Sequence, residues 1–422
     1  MGKLAFLFSG QGSQYVGMGK QLYESFPIAR QTFEEANDVL SFNLKKLCFE
    51  GDIDTLTQTE NAQPAILTVS TAAYRVYMNE IGIMPDYMAG HSLGEISALS
   101  CAGAIDFKDA VKIARRRGQL MQEAVMAREG GMLAIIGLGR KIVEEASKQF
   151  SKKGNLVVVS NSNSAEQHVI SGHSTAIEEA GKYLQSIGAK LIPVKVSAPF
   201  HSPLMQSAAD KFYYELQEYK FNNLNVNVIS NVTAQLYPNK DSIIDYLVKQ
   251  VVYPVEWKKS MDYLDSQNTE FAVEMGPNEV LTKLMKKNIP YIKTIPTDID
   301  LNIESLKKEI KSRKYVPQFI LRCLGIAVST PNFNWNEEEY QQGVVEPYRK
   351  MKEIQENLER EGKEAEISHM KEAIDLLLLI FKSKKTPIEE RKSSFKLNQL
   401  FLDTNTQYLF TKQQFEDKTL IL

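Results

Sequence analysis

The stretch Gly90-His91-Ser92-Leu93-Gly94 constrains this chain more than any other. Taken alone, a G-x-S-x-G pattern fits a glycine-rich turn with a solvated serine as well as it fits a catalytic site. Its setting narrows the choice. Asp86-Tyr87-Met88-Ala89 is short and apolar enough to end a buried strand, and Glu95 to Ala102 reads as a helix. Strand, tight turn and helix are what a nucleophile elbow needs. The glycines let the backbone turn sharply, so the Ser92 hydroxyl projects from it. The Leu93 amide then points from a helix N-terminus toward any oxyanion formed beside Ser92.

An elbow of this kind belongs to an α/β sheet, and the remaining chain has the strands for one. Lys3 to Phe8 reads as a first, buried strand running into the loop Ser9-Gly10-Gln11-Gly12-Ser13-Gln14. That loop lacks the lysine of a P-loop and the full spacing of a dinucleotide fingerprint. At the carboxyl edge of a parallel sheet it is also where a second oxyanion donor belongs. Helical stretches follow to about Leu47, and Gln63-Pro64-Ala65 opens another helix to about Ile81.

Between Gly130 and Ser197 the rhythm changes. Strand (Met132–Ile136), helix (Arg140–Phe150), two strands (Leu156–Ser160, His168–Ser171), helix (Thr175–Ile187) and strand (Lys190–Val196) give the order βαββαβ. This is the ferredoxin-like unit, inserted into a larger α/β domain. The large domain resumes after the turn Ala198–Pro203. It continues through a helix from about Leu204 to Glu218, a strand at Val226–Ser230, helices at Asp241–Gln250 and Val255–Asp265, and a strand at Phe271–Glu274.

After about Leu301 the chain becomes helical and rich in Lys and Glu. Val344, Met351, Ile354 and Leu358 make one apolar stripe; Met370, Ala373, Ile374, Leu377, Leu378 and Phe381 make the next. A third helix is expected after Pro387, with Phe395, Leu400 and Phe401. Such stripes are more often core than partner site. The expected partition is 1–128 with 198–301 for the large domain, 129–197 for the small one and 302–422 for a helical extension of unknown role.

Composition excludes several classes. With 422 residues, 43% hydrophobic, 24% charged and a net charge of −2, the chain can bury a large core and has no basic surplus for nucleic acid. Its three cysteines, Cys48, Cys101 and Cys323, are odd in number and widely spaced, which argues for a reducing compartment and against disulfides or zinc. No metal site is expected. The apolar runs Leu4–Phe8 and Leu376–Phe381 are too short for a signal core or a membrane span. The reading is a cytoplasmic protein, monomeric, with no membrane or nucleic-acid partner.

Two further residues bear on the chemistry. In the helix Phe107 to Val125, Arg117 lies beside Ile113, Ala114, Leu120 and Met121, an apolar flank where a guanidinium is costly unless something anionic pairs with it. A structural ion pair or a snorkelling side chain satisfies the same placement. Nucleophilic catalysis also needs a base. Of five histidines, His91 sits in the elbow pointing away from Ser92, His168 and His173 belong to the small domain, and His369 lies on a helix surface of the extension. That leaves His201, although a lone turn histidine is more often structural.

Five motifs occur in one order: Gly10-Gln11-Gly12-Ser13-Gln14, Gly90-His91-Ser92-Leu93-Gly94-Glu95, Arg117-Gly118, Ala198-Pro199-Phe200-His201-Ser202 and Glu274-Met275-Gly276-Pro277. Together they resemble the malonyl-CoA:acyl carrier protein transacylases of fatty acid and polyketide synthesis, over about residues 1–300. The resemblance implies an α/β-hydrolase-like large domain with a ferredoxin-like insertion. By position it makes Ser92 the nucleophile, His201 the base and then acid, and the amides of Gln11 and Leu93 the oxyanion hole. Arg117 becomes the clamp for a malonyl carboxylate. It makes the backbone carbonyl of Gln250 the group that orients His201, so no acidic third member is required. Phe200 resembles the malonyl-selecting form of its motif. Asn278 stands where the family often has Gly, a departure confined to one turn.

The implied reaction moves malonyl from malonyl-CoA, through a Ser92 ester, to the phosphopantetheine thiol of an acyl carrier protein, with no cofactor bound to the enzyme. The helical extension resembles that of free-standing acyltransferases of hybrid polyketide–peptide assembly lines, such as those of iturin-type lipopeptides. Two other readings compete. A hydrolase clearing acylated carriers would use the same serine and histidine, but would gain nothing from a buried Arg117. A non-catalytic carrier-binding scaffold would have no use for both Ser92 and His201.

Overall fold

The structure is a computed structural model describing residues 3–126, 130–194, 198–298, 303–311, 317–330, 332–361 and 365–386. Its described strands, in chain order, are β1 (Lys3–Phe8), β2 (Tyr87–Gly90), β3 (Gly130–Ile136), β4 (Val157–Ser164), β5 (Gln167–His173), β6 (Lys190–Pro193), β7 (Asn227–Ile229), β8 (Thr269–Met275) and β9 (Lys293–Pro296). The chain falls into two compact units, one of residues 2–80 and 85–302, the other containing the helices from Ile303 onward.

In the first unit, β7-β2-β1-β8-β9 form one all-parallel sheet. Leu4 to Phe8 is buried throughout, as a central parallel strand covered on both faces requires. Ala5 and Leu7 pack on one face with Trp257, Met261, Leu264, Leu281 and Met285. Phe6 faces the other way, its ring edge-on to Tyr77 at 4.7 Å. Phe8 pairs with both Gly90 and Met275, so β1, β2 and β8 end level with one another. The loops after them therefore emerge together at the carboxyl edge of the sheet, where open α/β sheets place their sites.

The second sheet, β4-β5-β3-β6, is antiparallel with the helices Arg140–Phe150 and Ser174–Ser186, the ferredoxin-like unit. The fold is thus an α/β-hydrolase-like domain with a ferredoxin-like insertion. The insertion is fastened close to the elbow. Arg140 donates to both carboxylate oxygens of Glu256. Ser162 N–H donates to the Val255 carbonyl at 3.0 Å, and Val255 N–H to that of Ser160 at 2.9 Å.

Several elements differ from expectation at their ends. The strand read to Val196 ends at Pro193, and residues 195–197 lie outside those described. The helix expected to open at Gln63 opens at Thr59 and carries Pro64 inside it. Pro64 has no N–H for the Glu60 carbonyl. That carbonyl instead accepts from Arg115 Nη1 at 2.8 Å, a partner supplied by another helix.

The second unit has helices Ile303–Lys311, Pro317–Ser329, Glu337–Glu361 with a π turn at Gln341–Val345, and Ile367–Ser383. Val344, Met351 and Leu358 pack with Met370, Ala373, Leu377 and Phe381 and with Phe319 and Cys323, so the two stripes are core. Lys384 Nζ donates to the carbonyls of Ala327 and Thr330, both at 2.7 Å, closing the end of the helix Pro317–Ser329. His369 lies at the helix start, where its Nδ1 accepts from Glu366 N–H at 3.0 Å. The helix expected after Pro387, with Phe395, Leu400 and Phe401, lies outside the described residues. Among the described residues no helix is long and apolar enough to cross a membrane.

Candidate active site

Ser92 stands where β2 turns into the helix Leu93–Cys101, with φ 51° and ψ −108°, a backbone strained for any side chain but glycine's. The flanking glycines make that turn possible. A Cβ at Gly90 would lie 1.9 Å from the Gly94 carbonyl carbon, and one at Gly94 would lie 2.0 Å from the Phe8 carbonyl oxygen. Asn231, after β7, holds the turn. Its Oδ1 accepts from Ser92 N–H and its Nδ2 donates to the Gly90 carbonyl, each at 2.7 Å.

Ser92 Oγ lies 2.8 Å from His201 Nε2. His201 Nδ1 lies 2.7 Å from the Gln250 carbonyl oxygen. A carbonyl only accepts, so the ring proton belongs on Nδ1 and Nε2 is left to accept the serine hydroxyl. Burial, and then the charge of Arg117, push His201 down to about 3, so the free site holds it neutral.

Arg117 is 2% exposed. Its Nη1 donates to Gln63 Oε1 and its Nη2 to Gln250 Oε1, both at 2.8 Å; Nη2 also reaches Ser92 Oγ at 3.3 Å. No carboxylate touches it among the described residues, and its Nε has no hydrogen-bond partner there. A simple structural ion pair is therefore not what the fold provides. Arg115 and Arg116 do make such pairs, with Glu60 and Glu215.

Gln11 lies in the loop after β1, its side chain donating to Thr59 Oγ1 at 3.2 Å. That loop rests on the elbow, since a Cβ at Gly10 would come 2.3 Å from the His91 carbonyl oxygen. Leu93 is the first residue of its helix, so its amide is one of the four without an intrahelical acceptor. Phe200 is buried beside His201 in sequence. Asn278 adopts φ 64°, a left-handed conformation that Asn tolerates almost as Gly does. His91 turns from Ser92 to Asn163 Oδ1 of the insertion at 2.9 Å, with its ring against Trp257. Among the described residues, the hydrogen bonds of His168 and His173 run to Ser162, Ala165 and Leu156 of the insertion.

Sequence reasoning gave no role to Gln63, Glu95, Asn231 or Tyr237, which converge on this site. Glu95 sits in the quoted elbow motif, one position beyond its last glycine, and Gln63 in the quoted Gln-Pro pair. Asn231 and Tyr237 had no local signal. An open cavity of about 700 Å³ lies at Gly154–Leu156, His173–Thr175 and Leu204. None of the site residues borders it, and the hydrogen-bonded cluster at Ser92 is the better guide to chemistry. Among the described residues no group of His, Cys, Asp and Glu could hold a metal ion.

The arrangement can ionise a serine beside a neutral imidazole, next to a buried cation with spare donors. Comparison with known proteins points to acyl transfer. The acyl transferase domain family matches residues 5–320. A malonyl CoA-acyl carrier protein transacylase of Bacillus subtilis is 40% identical over 404 residues, covering 93% of this chain and 99% of that protein. An acyl carrier protein S-malonyltransferase of Vibrio cholerae superposes with a TM-score of 0.70 at 40% identity, over 72% of this chain and 99% of that one. A malonyl-transacylase solved with its type II PKS acyl-carrier protein superposes with a TM-score of 0.71 at 38% identity, over 73% and 99%.

Proposed function

The chain belongs to the malonyl CoA-acyl carrier protein transacylase family, and from that membership we propose that it transfers malonyl from malonyl-CoA to the phosphopantetheine thiol of an acyl carrier protein. The observation that carries this reading is the buried Arg117 with neutral acceptors and unspent donors beside the Ser92–His201 pair. A guanidinium in that state favours an acyl group ending in a carboxylate.

In the first half-reaction His201 Nε2 takes the Ser92 proton as Oγ attacks the thioester carbon. The amides of Gln11 and Leu93 hold the oxyanion, and Arg117 holds the distal carboxylate. The C–S bond breaks, and His201 returns its proton to the CoA sulfur. In the second half the carrier thiol gives its proton to His201 and attacks the malonyl–Ser92 ester; the proton then goes back to Ser92. The Gln250 carbonyl keeps His201 in the tautomer both halves need, and Phe200 bounds the acyl site.

We propose also that 1–128 with 198–301, 129–197 and 302–422 act as large domain, small domain and extension, in the cytoplasm. The finer assignment is a free-standing acyltransferase of a hybrid polyketide–peptide assembly line of the iturin type. It is supported by the helical extension and by the likeness to a malonyl-transacylase solved with a type II PKS acyl-carrier protein.

The test is intact-protein mass after mixing with malonyl-CoA, and again after adding holo carrier protein. A malonyl adduct that persists until the carrier is added, and that Ser92→Ala abolishes, is the expected result. Loss of the adduct to water selects a hydrolase, and no wild-type adduct selects a carrier-binding scaffold. An adduct that survives in Ser92→Ala ends the assignment of the nucleophile.

A further inference from the structure

Behind the elbow lies a carboxylate that the reaction above does not use. Glu95, in the first turn of the helix Leu93–Cys101, is fully buried. Its Oε2 accepts from Gln250 Nε2 at 2.5 Å and from Asn231 N–H at 3.2 Å, and its Oε1 accepts from Tyr237 Oη at 2.5 Å. The Gln250 carboxamide passes the contact on. While its nitrogen donates to Glu95, its Oε1 accepts from Arg117 Nη2 at 2.8 Å. The other groups that accept from Arg117, Gln63 Oε1 and Ser92 Oγ, are neutral.

We propose that Glu95 is the resident counter-charge of Arg117, coupled to it through the Gln250 carboxamide, and that it sets how strongly the site prefers an anionic acyl group. The selectivity half of this rests on the transacylase reading above. The physical reason is the cost of a buried charge at either extreme. With no anion nearby, the free site would hold an uncompensated guanidinium, which strongly destabilises a folded protein. With a carboxylate in direct contact, the cation would be spent, and an incoming acyl carboxylate would have to displace it. A carboxylate one amide away compensates the charge and leaves neutral, exchangeable acceptors on the guanidinium itself. The electrostatics agree with the geometry. Burial pushes Glu95 up to about 7, against the hydrogen bonds from Tyr237, Gln250 and Asn231 and, after them, the Arg117 charge; burial pushes Arg117 down to about 10, against the Glu95 charge.

The bland alternative is that Glu95 serves only as an acceptor for Tyr237, Gln250 and Asn231. Glu95→Gln separates the two. A glutamine there keeps the volume, can still accept from Gln250 and Asn231, and can donate to the Tyr237 oxygen. The charge is lost, together with the acceptor for the Tyr237 proton, a change that is the same with and without Arg117 and so cancels in a double-mutant cycle. The experiment is a double-mutant cycle in the full chain, with wild type, Glu95→Gln, Arg117→Met and the double variant melted at pH 8. Arg117→Gln replaces Arg117→Met if the latter does not fold. We expect Glu95→Gln to lower Tm by about 3 °C or more in the wild-type background and to leave it unchanged or raise it where Arg117 is absent. Equal drops in both backgrounds overturn the counter-charge.

The second arm is the ratio of kcat/KM for malonyl-CoA to that for acetyl-CoA. We expect Glu95→Gln to raise it by about threefold or more, through a lower KM for malonyl-CoA, because the anion that competes for the Arg117 field is gone. A merely structural role would move both thioesters equally, and an unchanged ratio overturns the selectivity half. If Arg117→Met itself leaves the wild-type ratio intact, the transacylase reading of Arg117 fails instead, and the Tm cycle still decides the counter-charge.

Discussion

His201 illustrates how one residue's surroundings fix its chemistry. Its Nδ1 proton is held on the Gln250 carbonyl, and burial with the Arg117 charge pushes its imidazole down to about 3. The sign of the consequence follows directly. In the unfolded chain the imidazole titrates near its ordinary value of about 6.5. Below that pH the unfolded chain binds a proton that the native site refuses, so stability falls as the pH falls from about 6.5 toward 3. Between pH 7 and pH 5 this amounts to about 2 kcal/mol. Wild type should therefore lose about 2 kcal/mol more than His201→Gln over that interval. Denaturant unfolding at the two pH values measures it, and parallel losses in the two proteins would show that His201 is not held neutral by the fold.

At the scale of the element, the elbow is a strained backbone kept in place from outside. The Ser92 φ of 51° is tolerated because Asn231 bridges the Ser92 N–H and the Gly90 carbonyl, as a neighbouring strand would. Asn231→Ala strands both groups in a buried site, a cost of about 1–3 kcal/mol. It also frees the serine from the geometry its attack requires, and a misplacement of about 1 Å can cost roughly 100-fold in rate. We expect Asn231→Ala to slow acylation by malonyl-CoA and acetyl-CoA by the same factor, about 10- to 100-fold, since the clamp touches the nucleophile and not the acyl group. Single-turnover acylation with both thioesters checks it. A loss confined to malonyl would place Asn231 in selectivity instead. The helix carrying Gln63 gives a second case: its start at Thr59 depends on Arg115 reaching the carbonyl that Pro64 leaves unpaired.

On the scale of the whole molecule, every residue assigned to the site lies in the unit of residues 2–80 and 85–302. The second unit has its own buried core around Phe319, Cys323, Met351, Ala373 and Leu377. A unit with its own core folds by itself as a rule. A chain ending at residue 302 should therefore stay soluble and acylate at Ser92 within about threefold of the full-length rate. Purification of that chain and intact-protein mass with malonyl-CoA test this. An insoluble or inactive product would make the extension part of the catalytic fold.

How much of this was legible in the sequence depended on whether the signal was local. The buried run Leu4–Phe8, the glycines flanking Ser92, and the βαββαβ order from Gly130 are properties of neighbouring residues. Backbone sterics and hydrophobic periodicity therefore determined them before any tertiary contact formed. Arg117 drew notice because an apolar helix flank is a poor place for a charge, and His201 because the other histidines had poorer positions. What the sequence could not determine is which groups complete these. The Gln250 carbonyl on His201 was implied only by resemblance. Glu95 behind Arg117, Asn231 across the elbow and Arg115 on the Glu60 carbonyl had no such pointer. Each joins residues tens to more than a hundred positions apart. A buried polar group must find a partner, but the chain's order does not say which one. Tertiary packing decides it: the sheet sets β7 beside β2 and so brings Asn231 to the elbow, while the packing of helix against helix brings Arg115 to the Glu60 carbonyl.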